Sequence, residues 1–102
     1  MAVHSITTAD FDDVVLNSKK PVVIDFYANW CGPCKMLSPV VDEVSDERDD
    51  VLFVKVNVDE EEELAAKFGV MSIPMLILIE NGEVKKTSLG YKPKEDLLKL
   101  LD

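Results

Sequence analysis

The feature that most constrains the fold is one apolar run, VVIDFY, at Val22–Tyr27. Apart from a single carboxylate, its side chains are β-branched or aromatic, and such residues favour strands. A strand that is apolar at consecutive positions is buried on both faces, which is typical of a sheet covered by helices on both sides. The one acidic residue of this run, Asp25, is therefore predicted to lie inside the protein.

The rest of the chain alternates between strand and helix patterns. Further strands are predicted at residues 3–6, 51–58, 75–79 and 83–88. Helices are predicted after a capping-box pattern at residues 7–10, after the cysteines, across residues 59–68 and after Pro93. Pro39 lies within the second helix and is expected to kink it. Asn81-Gly82, between the last two strands, is typical of a hairpin turn.

This element order predicts an α/β fold. Strands that are separated by a helix are expected to pair in parallel, and the last two strands are expected to form one antiparallel hairpin. The predicted architecture is a mixed sheet with helices on both faces. A chain of 102 residues with 47% hydrophobic content is predicted to form a single domain spanning residues 1–102.

Charge and hydropathy restrict the possible partners and the location. The chain has 11 basic and 20 acidic residues, a net charge of −9, which disfavours binding to nucleic acid and to anionic membrane surfaces. The opening MAVHSITTAD lacks the features of an export signal, and no apolar run approaches membrane-spanning length. We therefore expect a cytoplasmic protein with neither a nucleic-acid nor a membrane partner.

The candidate chemistry lies in WCGPCK, residues 30–35, which contains the only two cysteines, Cys31 and Cys34. The pair could be a redox couple, half of a metal site or a structural staple. A closed zinc site needs four Cys or His ligands, and this chain adds only His4. Haem attachment needs a histidine where Lys35 stands, and an iron–sulfur cluster needs two thiolates from another chain. A staple across so short a loop adds little stability, so the redox couple is favoured.

A helix that begins at the motif would give the two thiols different roles. Residues i and i+3 of a helix are neighbours, so a small adjustment lets the pair close or open. Cys31 stands at the helix start, where free N–H groups and the positive dipole end favour a thiolate, and is the expected nucleophile. Cys34 shares its helical face with Leu37 and is the expected shielded, resolving thiol. Gly32 lets a partner's backbone approach, and Pro33 limits the freedom of the loop.

Asp25 is the candidate base that accepts the proton of Cys34. Burial in an apolar strand is expected to raise the pKa of this carboxyl group towards the range that is useful for proton transfer at neutral pH. The alternative is a solvated strand carboxylate or a turn ligand. Aspartate is depleted from strands, which favours the functional interpretation.

Taken in order, these residues resemble the thioredoxin family, and the resemblance covers nearly the whole chain. The matching features are Asp25 in VIDFYA, the WCGPCK motif, Pro39, Lys55 in FVKVNVD, Ile73-Pro74 and Asn81-Gly82-Glu83. The resemblance implies a thioredoxin-like fold and a monomeric thiol–disulfide oxidoreductase that reduces disulfides in partner proteins. It also implies that no cofactor is bound in this chain and that a thioredoxin reductase, an NADPH-dependent flavoprotein, recharges the cysteines.

The resemblance assigns further site residues. It implies that Lys55 lies near the buried Asp25, although a solvated strand lysine is the alternative. It favours an exposed contact surface at Trp30 over a core position. It makes Pro74 a cis-proline that faces the disulfide, preceded by Ile73, whose backbone pairs with extended substrate. The full set of implied substrate-binding residues is Trp30, Gly32, Pro33, Ile73, Pro74, Met75 and Gly90.

Three positions depart from the commonest family pattern. Met75 stands where threonine usually follows the proline, Asn29 where acidic or small residues are frequent, and Tyr27 where tryptophan is frequent. The flexible thioether of Met75 is expected beside the cysteines, where it would alter the apolar groove.

Two other functions remain open at this point, a disulfide-forming oxidant or isomerase and a binding module that uses the same surface as a scaffold. The Gly-Pro pair between the cysteines argues against the first, and the intact cysteines with Asp25 argue against the second.

Overall fold

The computed structural model describes residues 3–102, which contain a mixed five-stranded sheet. The strands are β1 (Val3–Ser5), β2 (Val22–Tyr27), β3 (Leu52–Asn57), β4 (Met75–Glu80) and β5 (Glu83–Leu89). Their spatial order is β1-β3-β2-β4-β5. Strand β3 runs parallel to both β1 and β2, whereas β4 runs antiparallel to β2 and forms the predicted hairpin with β5. The mixed sheet of the predicted α/β fold is confirmed, but the expectation that strands separated by a helix pair in parallel is wrong for β4, which follows α2 and pairs antiparallel with β2.

The helices follow the predicted order, with one difference in type. The α-helices are α1 (Gly32–Glu47), α2 (Glu62–Lys67) and α3 (Lys94–Leu101), and Pro39 lies inside α1. The segment after β1 is not an α-helix, because it forms a 3-10 turn at Thr8–Asp10 and then a π-helical segment at Asp12–Leu16. Thr7 caps the turn with the reciprocal hydrogen bonds that the sequence predicts. No helix within the described residues is long and apolar enough to cross a membrane.

Helix α2 begins later than its sequence pattern predicts. The side-chain oxygen of Asn57 accepts hydrogen bonds from the backbone N–H groups of Asp59, at 2.9 Å, and Glu60, at 3.3 Å. These bonds fold the end of β3 into a local turn, which competes with the helix for the same backbone groups. The helix therefore starts at Glu62, after most of the acidic run has been used in the turn.

The sheet separates two apolar clusters, one on each face. Ile24 of β2 belongs to the cluster that contains Leu64 of α2, whereas Val23 packs with Leu37 of α1 on the other side. This arrangement confirms that β2 is buried on both faces. Because side chains alternate along a strand, Asp25 shares the face of Val23, which is the face that α1 covers.

Candidate active site

Cys31 and Cys34 form a disulfide at the N-terminus of α1, with their Cα atoms 5.2 Å apart. Cys31 is the N-cap residue of the helix, and its Sγ accepts a hydrogen bond of 3.2 Å from the backbone N–H of Cys34. Pro33 lies in the first turn, where the N–H that proline lacks has no helical partner. The spacing of three residues therefore brings the two sulfur atoms together within the first helical turn, where they can form the disulfide.

Exposure does not distinguish the two thiols, but their surroundings do. Cys31 is 4% exposed and Cys34 is 5% exposed. Cys34 lines a pocket of about 390 Å³ that Asp25 also lines, and Cys31 is not among the lining residues in the described part of the chain. Cys31 instead occupies the helix end, where the partial positive charge favours a thiolate once the disulfide is open. The structure thus connects Cys34, rather than Cys31, to the buried carboxyl group.

Asp25 is almost fully buried, at 5% exposure, and its Oδ1 has no hydrogen-bond partner among residues 3–102. Burial raises the pKa of Asp25 from 3.8 to about 7. The nearby charge of Lys55 opposes this rise, and the charge of Asp42 adds to it. A carboxyl group with a pKa near neutrality can take up and release a proton under ordinary conditions.

Lys55 reaches the same pocket from the neighbouring strand. It is the register partner of Asp25 between β2 and β3, and it is half-buried. Its Nζ lies 5.7 Å from the centre of the Tyr27 ring, a cation–π distance, and within residues 3–102 it forms no ion pair with Asp25. Lys55 therefore lowers the pKa of Asp25 through its charge without a direct salt bridge.

Trp30, the first residue of the WCGPCK motif, lies on the surface and not in the core. Its side chain is 71% exposed, and its Nε1 donates a 2.8 Å hydrogen bond to the carboxylate of Asp59. The backbone N–H of Asp59 is itself held by its hydrogen bond to the side chain of Asn57. Sequence analysis missed Asp59, although the polar residues directly after a strand next to the motif were an available signal. The bond fixes the indole while its apolar surface remains available for contact.

Ile73 and Met75, on either side of Pro74, lie in different environments. The Ile73–Pro74 peptide bond is cis, as the family resemblance implies. Ile73 packs against the small cluster formed by the two cysteines and Ala28. Met75 does not join the residues packed on that cluster, and it packs instead against the core that contains Phe26. The structure therefore does not support the expected position of Met75 beside the cysteines.

Val58 and Gly90 complete the surroundings of the disulfide. Val58 packs against the cysteine cluster, a contact that sequence analysis missed. Its position directly after β3, parallel to the strand that leads into the motif, was the available signal. Gly90 has φ +88°, and its N–H donates a 2.8 Å hydrogen bond to the carbonyl of Pro74, which ties the end of β5 to the cis-proline.

We expect Gly90→Ala to destabilise the fold by about 1–2 kcal/mol, because a side chain at positive φ is sterically disfavoured. Gly32→Ala is the matched control. An added Cβ atom meets no neighbour within 4 Å at either glycine, and of these two glycines only Gly90 has a positive φ. Denaturant unfolding of both variants is the measurement. An equal loss of stability at both positions would refute the backbone explanation.

A redox pair at a helix N-terminus, with a buried carboxyl group in the adjoining pocket and Ile73 of a cis Ile73–Pro74 bond packed against it, defines a thiol–disulfide oxidoreductase with a mixed, helix-flanked sheet. The family model "Thioredoxin" matches residues 2–102. The chain belongs to the thioredoxin family, and Cys31–Cys34 is its redox-active disulfide.

Thioredoxins from other organisms align with this chain over nearly their whole length. The thioredoxin of Haemophilus influenzae is 49% identical over 98 residues, which cover 95% of this chain and 92% of the relative. The thioredoxin of Bacillus subtilis is 48% identical over 103 residues, which cover 100% of this chain and 97% of the relative. The thioredoxin of Rickettsia typhi is 46% identical over 97 residues, covering 94% and 92% respectively.

We expect the purified protein to contain no stoichiometric zinc and to lose both free thiols on oxidation to one intramolecular disulfide. Residues 3–102 contain no group of three or more His, Cys, Asp or Glu side chains that could hold a metal ion. Metal analysis together with thiol titration before and after reduction is the measurement. One zinc ion per chain with both thiols protected from reagent would contradict the redox assignment.

Proposed function

We propose that this protein reduces disulfides in partner proteins and that a thioredoxin reductase returns its cysteines to the dithiol form. Members of the thioredoxin family generally reduce disulfide substrates and are recycled by that reductase. The observation that carries the proposal is the pocket in which Cys34, the inner member of the redox-active pair, meets the buried Asp25.

The first chemical step belongs to Cys31. Its thiolate attacks one sulfur of the substrate disulfide, so that a mixed disulfide forms and the other substrate sulfur leaves as a thiolate. That leaving thiolate takes a proton from solvent. The helix N-terminus favours the attacking thiolate at Cys31.

The second step belongs to Cys34 and Asp25. Asp25 accepts the proton of Cys34, and the resulting thiolate attacks the Sγ of Cys31. The Cys31–Cys34 bond forms, the mixed disulfide breaks, and the second substrate sulfur leaves. Two electrons have then passed from the pair to the substrate. Lys55 supports this step, because its positive charge favours the ionised form of Asp25.

The substrate docks on the surface around the disulfide. The exposed indole of Trp30 supplies apolar contact, and Gly32 and Pro33 keep the backbone beside Cys31 open to a partner. The backbone of Ile73 pairs with an extended substrate segment. The backbone on either side of Pro74 is held in place by its neighbours. Met75 packs into the core, and the N–H of Gly90 donates a hydrogen bond to the carbonyl of Pro74.

The proposal extends to compartment and assembly. A reductant of protein disulfides must itself be kept reduced, which favours the cytoplasm as the site of action. Residues 1–102 act as one thioredoxin domain, and the protein acts as a monomer. Light scattering after size-exclusion chromatography tests the monomer, and a stable dimer would overturn that part of the proposal.

Reduction of a two-chain disulfide protein such as insulin tests the function. In the presence of NADPH and a thioredoxin reductase, catalytic amounts of this protein are expected to sustain NADPH oxidation until the insulin is reduced. The variant with both cysteines replaced by serine is the control. No turnover by the wild type would favour a scaffold, and faster oxidation of reduced proteins than reduction of disulfides would favour the oxidant.

A further inference from the structure

The pocket beside Asp25 contains a buried acceptor without a protein partner. Oδ1 of Asp25 is inaccessible to solvent and makes no hydrogen bond within residues 3–102. Buried polar atoms are nearly always satisfied by protein or by ordered water. The adjoining pocket of about 390 Å³ has room for several water molecules, each of which occupies about 30 Å³ in the liquid. Because Oδ1 itself is out of reach of solvent, water in this pocket is placed to bond the other carboxylate oxygen of Asp25, Oδ2.

Ser38 is the hydroxyl group best placed to hold such water. It lines the pocket with Asp25 and stands four residues after Cys34, on the same face of α1. Its side chain is half-buried and makes no hydrogen bond to any other residue in the 3–102 range. Ser45 of the same helix differs, because its hydroxyl donates a 2.7 Å bond to the carbonyl of Asp42. The hydroxyl of Ser38 is thus free to bond water.

Apart from the amide of Asn29, which also lines the pocket, the remaining polar groups around Asp25 are charged groups, the thiol of Cys34 and the phenol of Tyr27. The titratable groups that face it are Cys34, Lys35 and Asp42 on α1, Lys55 on β3 and Tyr27 on β2, while β4 presents Leu76 as its register partner. Asp42 follows Ser38 by four residues, so the face of α1 carries a thiol, a hydroxyl and a carboxylate in succession. Within this series, the hydroxyl of Ser38 is the only strong hydrogen-bond donor that also accepts without a change of charge, because a thiol is weak in both roles.

We propose that Ser38 is a positioning residue that holds water against the Asp25 carboxyl group and so carries the proton of Cys34 onward from Asp25 to solvent. This inference rests on the proposed role of Asp25 as the proton acceptor. In each turnover Asp25 takes one proton from Cys34 and must lose it before the next. The water held by Ser38 accepts that proton and passes it to bulk solvent through the open side of the pocket. No electron moves in this step.

The direct test is a titration of the Asp25 carboxyl group by NMR in the oxidised protein, where neither cysteine titrates. Water bonded to the ionised carboxylate stabilises it, so Ser38→Ala is expected to raise the pKa of Asp25 further. Ser38→Thr keeps the hydroxyl and is expected to leave the titration near that of the wild type. Ser45→Ala is the matched control, because it removes a hydroxyl from the same helix outside the pocket.

The second readout is single-turnover reduction of a peptide disulfide, followed by the fluorescence of Trp30, the only tryptophan. The phase that depends on substrate concentration reports attack by Cys31, and the independent phase reports resolution by Cys34. Ser38→Ala is expected to slow resolution at pH 7 about fivefold, the loss of one hydrogen bond of ordinary strength, and to leave attack unchanged. The pH profile of resolution is expected to move upward with the Asp25 titration.

The outcomes separate this inference from the proposed function. Normal resolution in Asp25→Asn would overturn Asp25 as proton acceptor and this inference with it. Slow resolution in Asp25→Asn, with both readouts of Ser38→Ala equal to those of the wild type, would overturn the role of Ser38 alone. Slow resolution in Ser38→Ala without a change in the titration, or an equal effect of Ser45→Ala, would show a merely structural role and would also overturn it.

Discussion

Replacing Cys31 by serine is expected to abolish disulfide reduction, with a loss of turnover of at least about a thousandfold, because the remaining thiol, Cys34, lacks the activating position at the helix N-terminus and cannot form the intramolecular disulfide alone. The hydroxyl of serine is a far weaker nucleophile than a thiolate, and the helix N-terminus does not ionise it at neutral pH. Insulin reduction by the reductant system described above is the measurement. Turnover near the wild-type rate would contradict the assignment of Cys31 as nucleophile.

Replacing Cys34 by serine is expected to have a different result, although turnover is lost to a similar degree. Attack by Cys31 still occurs, but the mixed disulfide persists because the resolving thiol is gone. Mass spectrometry of the trapped complex is expected to show one substrate linked through Cys31. Normal turnover of this variant, or a complex linked through Cys34 in Cys31→Ser, would show that the two roles are reversed or shared.

Outside the two cysteines, the largest effect is expected at Asp25, whose replacement by alanine is expected to stabilise the oxidised protein at pH 7. A rise of the folded-state pKa from 3.8 to about 7 corresponds to roughly 4 kcal/mol of lost stability once the group must be ionised. Alanine removes that cost but leaves a small cavity. We expect a net gain of about 1–3 kcal/mol in the free energy of unfolding.

The sign of this effect fixes its pH dependence. Because the folded protein holds the Asp25 proton more tightly than the unfolded chain, wild-type stability falls as pH rises from 3.8 to about 7. The advantage of Asp25→Ala is therefore expected to be large at pH 7 and small near pH 4. Denaturant titrations at both values are the measurement. A variant that is less stable than the wild type at both values would show a satisfied structural carboxyl group.

Activity is expected to change in the opposite direction from stability. Without Asp25 the proton of Cys34 must go directly to water, and we expect resolution to slow at least about tenfold at neutral pH. Attack by Cys31 is expected to be unaffected, which separates the effect from a general loss of function. Resolution at the wild-type rate would make water, rather than Asp25, the proton acceptor.

Much of the fold could be predicted from local patterns because those patterns report burial directly. The continuous apolar run of β2 implied burial on both faces, and Val23 and Ile24 do pack into opposite clusters. The Asn81-Gly82 pair implied a tight hairpin, and both residues have positive φ, 52° and 78°. These predictions depended only on neighbours in sequence, which is why they succeeded.

The predictions failed where distant packing or a local side-chain bond decides the outcome. The apolar spacing after β1 did not distinguish an α-helix from the π-helical segment Asp12–Leu16, because the inward position of its buried residue, Val15, is compatible with either helix type. The turn at Asn57 took backbone groups that the pattern had assigned to α2. Met75 was expected near the cysteines from its place after Pro74, but it packs into the core with Phe26.

In the candidate site, too, some features could be predicted from local sequence patterns and others depend on distant packing. The roles proposed for Cys31 and Cys34 rest on helix geometry, and the burial of Asp25 that its strand predicts is confirmed. The position of Val58 after β3 and the spacing of Ser38 from Cys34 were available signals, but their contacts depend on which elements meet in space. Those contacts leave Cys31 at the helix end and Cys34 in the pocket with Asp25, although the two thiols are almost equally buried.

The central claim, that Cys31 and Cys34 form a reducing pair, is tested most directly by equilibrating the protein with glutathione at known ratios and measuring the oxidised fraction. We predict that the pair is more reducing than glutathione, with a potential near the value of about −270 mV that is known for thioredoxin. A potential of about −180 mV or higher, typical of disulfide isomerases and oxidants, would contradict the account.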